Sequence, residues 1–119
     1  LKNSQDYISK KYNVAHNTID FVFHGGSGSS VDQIREAIGY GAIKMNIDTD
    51  MQYAFMSGAR DYFKSNEEYL KAQIGNPDGS DIPNKKYYDP RVWLRKAEES
   101  FISRLTQAFH DLNNVDTLN

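Results

Sequence analysis

The stretch Phe21-Val-Phe-His24-Gly-Gly-Ser27-Gly-Ser29 constrains the fold of this chain more than any other. Ile19, Phe21, Val22 and Phe23 have the β-branched and aromatic bias of a buried strand too short to be a helix. Glycine and serine end that run at once. Ser30-Val-Asp-Gln33 then has capping-box spacing, and Val31, Ile34, Ala37 and Ile38 form one apolar helical face behind it. The expected order is strand, glycine-rich turn, helix, with the helix running from about Val31 to Ile38. Gly39-Tyr-Gly41 closes it, because a left-handed cap costs glycine least.

Such a turn suits an anion. Glycines leave backbone N–H groups uncovered, and the first turn of the helix adds unpaired N–H groups at the positive end of its dipole. Phosphate is the anion expected. Better-known phosphate and nucleophile motifs do not fit. The dinucleotide fingerprint needs glycine where Val31 stands, and no Gly-Lys-Ser/Thr follows as in a P-loop. A hydrolase nucleophile elbow needs glycine where Ser29 stands.

The alternation repeats. Ala42-Ile-Lys44-Met-Asn46-Ile-Asp48 reads as a second strand, and Thr49 to Ser65 as a helix with Met51, Ala54, Phe55, Gly58 and Tyr62 on one side. Strands alternating with helices over short links predict an α/β fold with a parallel sheet. Both strands finish in chemically capable residues at their carboxyl ends, the edge where such folds bind ligands. Upstream, Leu1, Gln5, Ile8 and Tyr12 have the spacing of an amphipathic surface helix over 1–12. Downstream, residues 66–88 read as a long loop excursion with a short helix near Glu67 to Ala72, and long loops tend to serve ligands or partners. Asp89 as N-cap and Pro90 at the first helical position open a C-terminal helix over 89–113. Its buried stripe is expected at Leu94, Ala97, Phe101, Leu105, Ala108 and Leu112, with Arg95 and Glu99 pairing outside.

Composition narrows the function. At 119 residues the chain fits one modest domain, and because it opens at Leu1 it is read as a piece of a longer protein. A net charge of -2 argues against a general nucleic-acid or anionic-membrane binder. The absence of cysteine excludes disulfides, thiolate zinc sites and a cysteine nucleophile, and suits a cytoplasmic location. No stretch approaches the roughly 20 apolar residues of a membrane span.

Few residues carry the candidate chemistry. His24 stands where a strand meets the anion-binding turn, and two readings are open: a zinc ligand, or a histidine hydrogen-bonded beneath the loop. A zinc site needs at least three protein ligands, and His16 and His110 lack ligand-like spacing and read as surface residues. Asn46 and Asp48 fall on alternate strand positions and so are expected to point the same way, with Asp48 or Thr49 capping the next helix. Lys44 has the chemistry of a Schiff-base lysine, although an ion-paired structural lysine is the commoner case. Arg91 sits in the first turn of the last helix, beside the positive end of the dipole. That placement hints at a second anion held by its fork-shaped guanidinium.

Four motifs together resemble class II fructose-1,6-bisphosphate aldolase, the metal-dependent type. They are Phe21-Val-Phe-His-Gly-Gly-Ser-Gly-Ser29, Lys44-Met-Asn-Ile-Asp-Thr-Asp50, Gly75-Asn-Pro77, and Asn84-Lys-Lys-Tyr-Tyr-Asp-Pro-Arg-Val-Trp-Leu-Arg95, in order along essentially the whole chain. The resemblance implies a (β/α)8 barrel, with residues 1–119 as its C-terminal third: the end of the sixth helix, strands seven and eight with their helices, and a helical extension. It implies that His24 is one of three zinc-binding histidines, and that Gly25, Gly26 and Ser27, with Asn46, Ile47, Asp48 and Thr49, hold the phosphate of dihydroxyacetone phosphate. Asn46 would also touch the enediolate. Arg91 would reach the far phosphate in a neighbouring subunit's site, which implies a homodimer. Zinc is the implied cofactor, with a monovalent cation as a further candidate, and a small sugar phosphate is the implied partner. The implied reaction is reversible cleavage of fructose 1,6-bisphosphate to dihydroxyacetone phosphate and glyceraldehyde 3-phosphate. A tagatose 1,6-bisphosphate aldolase and a non-catalytic sugar-phosphate-binding module are the alternatives. The other zinc histidines, the proton-transferring acid and a mobile glutamate loop have no counterpart in these residues, so this chain alone is not expected to catalyse the reaction.

Overall fold

A computed structural model of the chain describes residues 1–117; residues 118 and 119, the end of the expected 1–119 range, lie outside that description. Ten elements follow one another: α1 (Lys2–Tyr12), β1 (Phe21–Phe23), α2 (Val31–Gly39), β2 (Ala42–Met45), α3 (Thr49–Ser65), α4 (Glu67–Leu70), β3 (Ile74–Asn76), β4 (Gly79–Pro83), α5 (Lys85–Tyr88) and α6 (Pro90–Asp111). The described residues form two units, one of residues 1–50 with 107–117 and the other of residues 51–106. The α/β alternation expected over the first half is present.

In the first unit β1 and β2 pair in parallel, with Phe21 opposite Ala42, Val22 opposite Lys44 and Phe23 opposite Met45, and α2 makes the crossover and packs on β2. Both halves of the capping box are formed: Ser30 Oγ accepts from Gln33 N–H at 3.2 Å, and Gln33 Oε1 accepts from Ser30 N–H at 2.9 Å. Ile34 and Ala37 are the buried residues of α2, as its apolar face requires. Gly41 adopts a left-handed φ of +90° just beyond the helix. A side chain there would collide with Ile19 O, so only glycine fits.

Two expectations fail in this unit. The first strand is not buried on both faces: Val22 is 48 % exposed, and Ile43 on β2 is 69 % exposed. A parallel sheet normally has both faces covered, so a two-stranded one leaves apolar surface uncovered among the described residues. The stripe of α1 also differs from its pattern. Its buried member is Gln5, while Leu1 and Tyr12 are exposed. Gln5 Nε2 donates to Ile19 O at 2.6 Å and to Tyr40 O at 2.9 Å, and Gln5 Oε1 accepts from Ile19 N–H at 3.3 Å. A buried amide so satisfied pins α1 to the entrances of both strands.

In the second unit α3 and α6 approach at Gly58 and Ala97. A Cβ on Gly58 would stand 2.8 Å from Ala97 Cα, and Ala97 is fully buried. The apolar side expected of α3 thus owes its packing to a glycine. Leu94, expected on the buried stripe of α6, is exposed instead. Arg95 does pair outward, with Glu98 at 2.7 Å and Glu99 at 3.6 Å.

The segment 66–88 carries more order than the loop expected there. β3 and β4 make an antiparallel hairpin, with Asn76 opposite Gly79 across Pro77-Asp78. Asn76 Oδ1 accepts from Asp78 N–H at 2.8 Å, an Asx turn. Beneath the hairpin lies fully buried Asn84, which donates to Ala72 O and Gly75 O at 2.8 Å each and accepts from Asn76 Nδ2 at 2.6 Å.

Candidate functional site

The carboxyl ends of β1 and β2 meet in one place. Asn46 N–H donates to Phe23 O at 3.0 Å, carrying the ladder one residue beyond β2, and Gly26 N–H donates back to Asn46 O at 3.2 Å. This return bond draws the glycine turn down over Met45. A Cβ on Gly26 would lie 2.6 Å from Met45 Sδ and 3.3 Å from Ile47 Cγ1. Gly26 is therefore present for close approach, and its N–H is spent within the protein. That corrects the expectation of an open Gly26 amide in the anion cradle. Gly25 and Gly28 take left-handed φ values of +77° and +85° with nothing near a would-be Cβ, so they shape the turn through backbone alone.

Two side chains tie the turn to the second strand's exit. Asn46 Nδ2 is 2.9 Å from His24 Nδ1. An amide nitrogen only donates, so Nδ1 accepts and the neutral ring carries its proton on Nε2. Ser27 Oγ accepts from Asp50 N–H at 3.3 Å. That N–H belongs to the first turn of α3. Accepting there leaves the Ser27 O–H able to donate elsewhere.

The exit itself departs from the expected strand. β2 stops at Met45, so Asn46, Ile47 and Asp48 are not strand residues and the alternation that would align Asn46 with Asp48 does not apply. Asn46 turns to His24 instead. Ile47 packs under Gly26, Asp48 occupies the N-cap position of α3, and Thr49 is its first residue. Acidic residues stand in the first turns of both helices, Asp32 in α2 and Asp50 in α3. Any anion held here is therefore recognised by N–H and O–H dipoles rather than by local positive charge.

His24 is solvent-exposed. Zinc takes three or four protein ligands, and no group of three His, Cys, Asp or Glu placed to hold a metal occurs among the described residues. The chain thus offers one imidazole to a metal, and with the proton on Nε2 it can ligate only through Nδ1, in exchange for the contact with Asn46. His16 Nε2 is engaged with Asp6 at 2.8 Å, and His110 is exposed on α6, so neither joins His24. Lys44 pairs opposite Val22 and lines a groove with Phe109 and Leu112.

Arg91 belongs to the second unit. Its Nε donates to Asp89 Oδ1 at 2.9 Å and its Nη2 to Asp89 Oδ2 at 2.5 Å, while Asp89 Oδ1 also caps α6 by accepting from Arg91 N–H at 3.0 Å. The guanidinium hydrogen bonds and the backbone N–H hold the Asp89 carboxyl down at about 2. The poor position of a cation in a first helical turn is thus offset locally. The sequence identified Asp89 only as a cap. Its second use was signalled by the spacing Asp-Pro-Arg, which sets a carboxylate and a guanidinium on the same helix end.

Comparison with known proteins gives a consistent picture. A family model described as fructose-bisphosphate aldolase class-II matches residues 1–117. A fructose-bisphosphate aldolase of Haemophilus influenzae is 64 % identical, and one of Edwardsiella ictaluri 61 % identical, each over 99 % of this chain and 33 % of the relative. The fructose-bisphosphate aldolase class 2 of Escherichia coli strain K12 is 57 % identical over the same shares. A crystal structure of fructose-bisphosphate aldolase from Campylobacter jejuni superposes with a TM-score of 0.89 at 58 % identity, covering 97 % of this chain and 33 % of that one. The chain spans about a third of the length of the relatives it matches.

Proposed function

This chain belongs to the class II fructose-bisphosphate aldolase family, and from that premise we propose that it is the substrate-gripping, C-terminal part of a zinc-dependent lyase that reversibly cleaves fructose 1,6-bisphosphate. The observation that carries the reading is the convergence of His24, Asn46 and Ser27 where two adjacent parallel strands end. In this reading β1 and β2 are strands seven and eight of a (β/α)8 barrel. The uncovered apolar residues Val22 and Ile43 supply the physical support, because a pair of parallel strands needs further strands and helices to bury its faces.

His24 supplies one metal ligand, and the remaining ligands come from outside this chain. When bound, zinc supplies the Lewis acidity that polarises the substrate ketone. The other steps belong to residues of this chain. The Gly25-Gly26-Ser27 turn shapes the cradle for the phosphate of dihydroxyacetone phosphate, the Ser27 hydroxyl donates to it, and the backbone of Asn46, Ile47, Asp48 and Thr49 closes its far side. Holding that phosphate fixes the reacting carbons a few ångströms away, and such positioning is worth several kcal/mol of a reaction barrier. Asn46, beside His24, is placed to hydrogen-bond the oxygen that gains charge as the carbon–carbon bond breaks.

Arg91 takes the far phosphate of the bisphosphate, contributed to the site of a second subunit in a homodimer. A cytoplasmic location fits the cysteine-free composition, and no helix among the described residues is long and apolar enough to cross a membrane. The deciding experiment uses the full-length polypeptide. A chelator should abolish cleavage and added zinc should restore it. If activity survives the chelator while borohydride and substrate trap an adduct on Lys44, the metal mechanism is wrong.

A further inference from the structure

Arg91 is 86 % exposed, yet it is not a free surface arginine, because Asp89 holds it and is itself only 13 % exposed. Asp89 is fixed through its whole length. Its N–H donates to Lys85 O at 3.0 Å, its C=O accepts from Val92 N–H at 2.9 Å, and its Oδ1 accepts from Arg91 N–H at 3.0 Å. The carboxylate is therefore a rigid part of the α6 start. A guanidinium has two edges able to grip an oxyanion with paired N–H bonds. Asp89 occupies the side edge, Nε with Nη2. Nη1 makes no hydrogen bond among the described residues, so the end edge, Nη1 with the second N–H of Nη2, faces outward.

Stability does not account for this clasp. Capping of α6 needs only the Oδ1 bond to backbone, and an ion pair with a largely exposed cation contributes little. What the clasp supplies is direction: a long, flexible side chain is held in one orientation before any ligand arrives. Resting on the reading that Arg91 takes the far phosphate, we infer that Asp89 is a positioning residue, which holds the side edge of Arg91 so that its end edge is presented to a phosphate monoester. Because Asp89 also cancels the local charge, recognition depends on matching two oxygens to two N–H groups. Anions that cannot bridge that pair are disfavoured.

The experiment uses the full-length enzyme with two substrates, fructose 1,6-bisphosphate and fructose 1-phosphate, the second lacking the far phosphate. The readout is the ratio of their KM values in the wild type, Asp89→Asn and Arg91→Ala. Asp89→Asn keeps a capping oxygen, and circular dichroism with a thermal melt confirms its fold. Its KM for the bisphosphate should rise about two- to tenfold relative to fructose 1-phosphate, the factor expected from losing advance ordering of one long side chain. Arg91→Ala should raise the same ratio at least as much, and the double variant should add nothing further. If Arg91→Ala raises the ratio while Asp89→Asn leaves it unchanged or lowers it, Asp89 does not position Arg91 and this inference falls alone. If Arg91→Ala leaves the ratio unchanged, the phosphate role of Arg91 falls and takes the inference with it.

Discussion

The side-chain amide of Asn46 lies 2.9 Å from Nδ1 of His24, across the ends of two parallel strands. This contact decides which ring nitrogen carries the proton. With Nδ1 accepting, the neutral imidazole is the Nε2–H tautomer, and its ring plane is fixed relative to the second strand's exit. In a 15N-labelled sample of the chain above pH 8, the Nε2–H form of His24 should dominate. Asn46→Ala should leave a mixture of tautomers. An unchanged tautomer ratio in that variant would show that Asn46 does not orient the ring.

Gly25 and Gly26 are adjacent but are required for different reasons. Gly25→Ala meets no neighbouring atom and is opposed only by its φ of +77°, a cost of about 1 kcal/mol. Gly26→Ala brings a methyl 2.6 Å from Met45 Sδ, overpacking that costs about 1–3 kcal/mol. The two therefore separate in a Met45→Ala background. The Gly26→Ala penalty measured by urea unfolding should shrink there by more than about 0.5 kcal/mol, the coupling expected of touching residues. The Gly25→Ala penalty should stay the same.

Acid should leave the Asp89–Arg91 clasp intact well below the usual carboxylate range. The Arg91 hydrogen bonds lower the Asp89 carboxyl from an ordinary value of 3.8 to about 2. A depressed folded-state value means that the contribution to stability is fully present above the unfolded value and is lost as pH falls through the folded one. The window of loss here runs from about pH 4 down to about pH 2. A 13C titration of the Asp89 carboxyl should give a midpoint near 2, and Arg91→Ala should move that midpoint upward.

The parts of this fold legible in sequence were those set by neighbours along the chain. Ser30 with Gln33, Asp89 with Pro90, and the exit of the first strand into Gly25-Gly26 all fix local backbone, and each forms where expected. Of the site, the proximity of the two strand ends followed from strand–helix alternation. The use of individual polar groups did not. Nothing adjacent to Gly26 announces that its N–H will be taken by Asn46 O, or that Ser27 will reach Asp50, since these bonds span more than 19 residues. Gln5 was hidden differently: a long polar side chain on an apolar stripe reads as a flaw until its backbone partners are known. The hairpin within 66–88 was obscured by its own turn chemistry, for Pro77-Asp78-Gly79 marks a turn as readily as a loop, and Ile74 and Ile82 alone carry strand character.

Asn84 gives the sharpest test of the second unit. Its carboxamide is fully buried, donating to Ala72 O and Gly75 O and accepting from Asn76 Nδ2. Asn84→Ala leaves two carbonyls and one amide without their partner, and a buried polar group so stranded costs about 1–3 kcal/mol. Asn84→Asp has almost the same shape, but it replaces the two N–H donors with an acceptor facing two carbonyl oxygens. Above pH 5 the aspartate must either bury a charge against those oxygens or take up a proton, and either course adds to the penalty. Asn84→Asp should therefore be less stable than Asn84→Ala at pH 7, despite being the closer match in volume. The gap should narrow on acidification, as protonation returns one donor. Urea melts of both variants at pH 5 and pH 7 check this. An aspartate variant as stable as wild type at pH 7 would mean that the hairpin does not rest on the Asn84 donors.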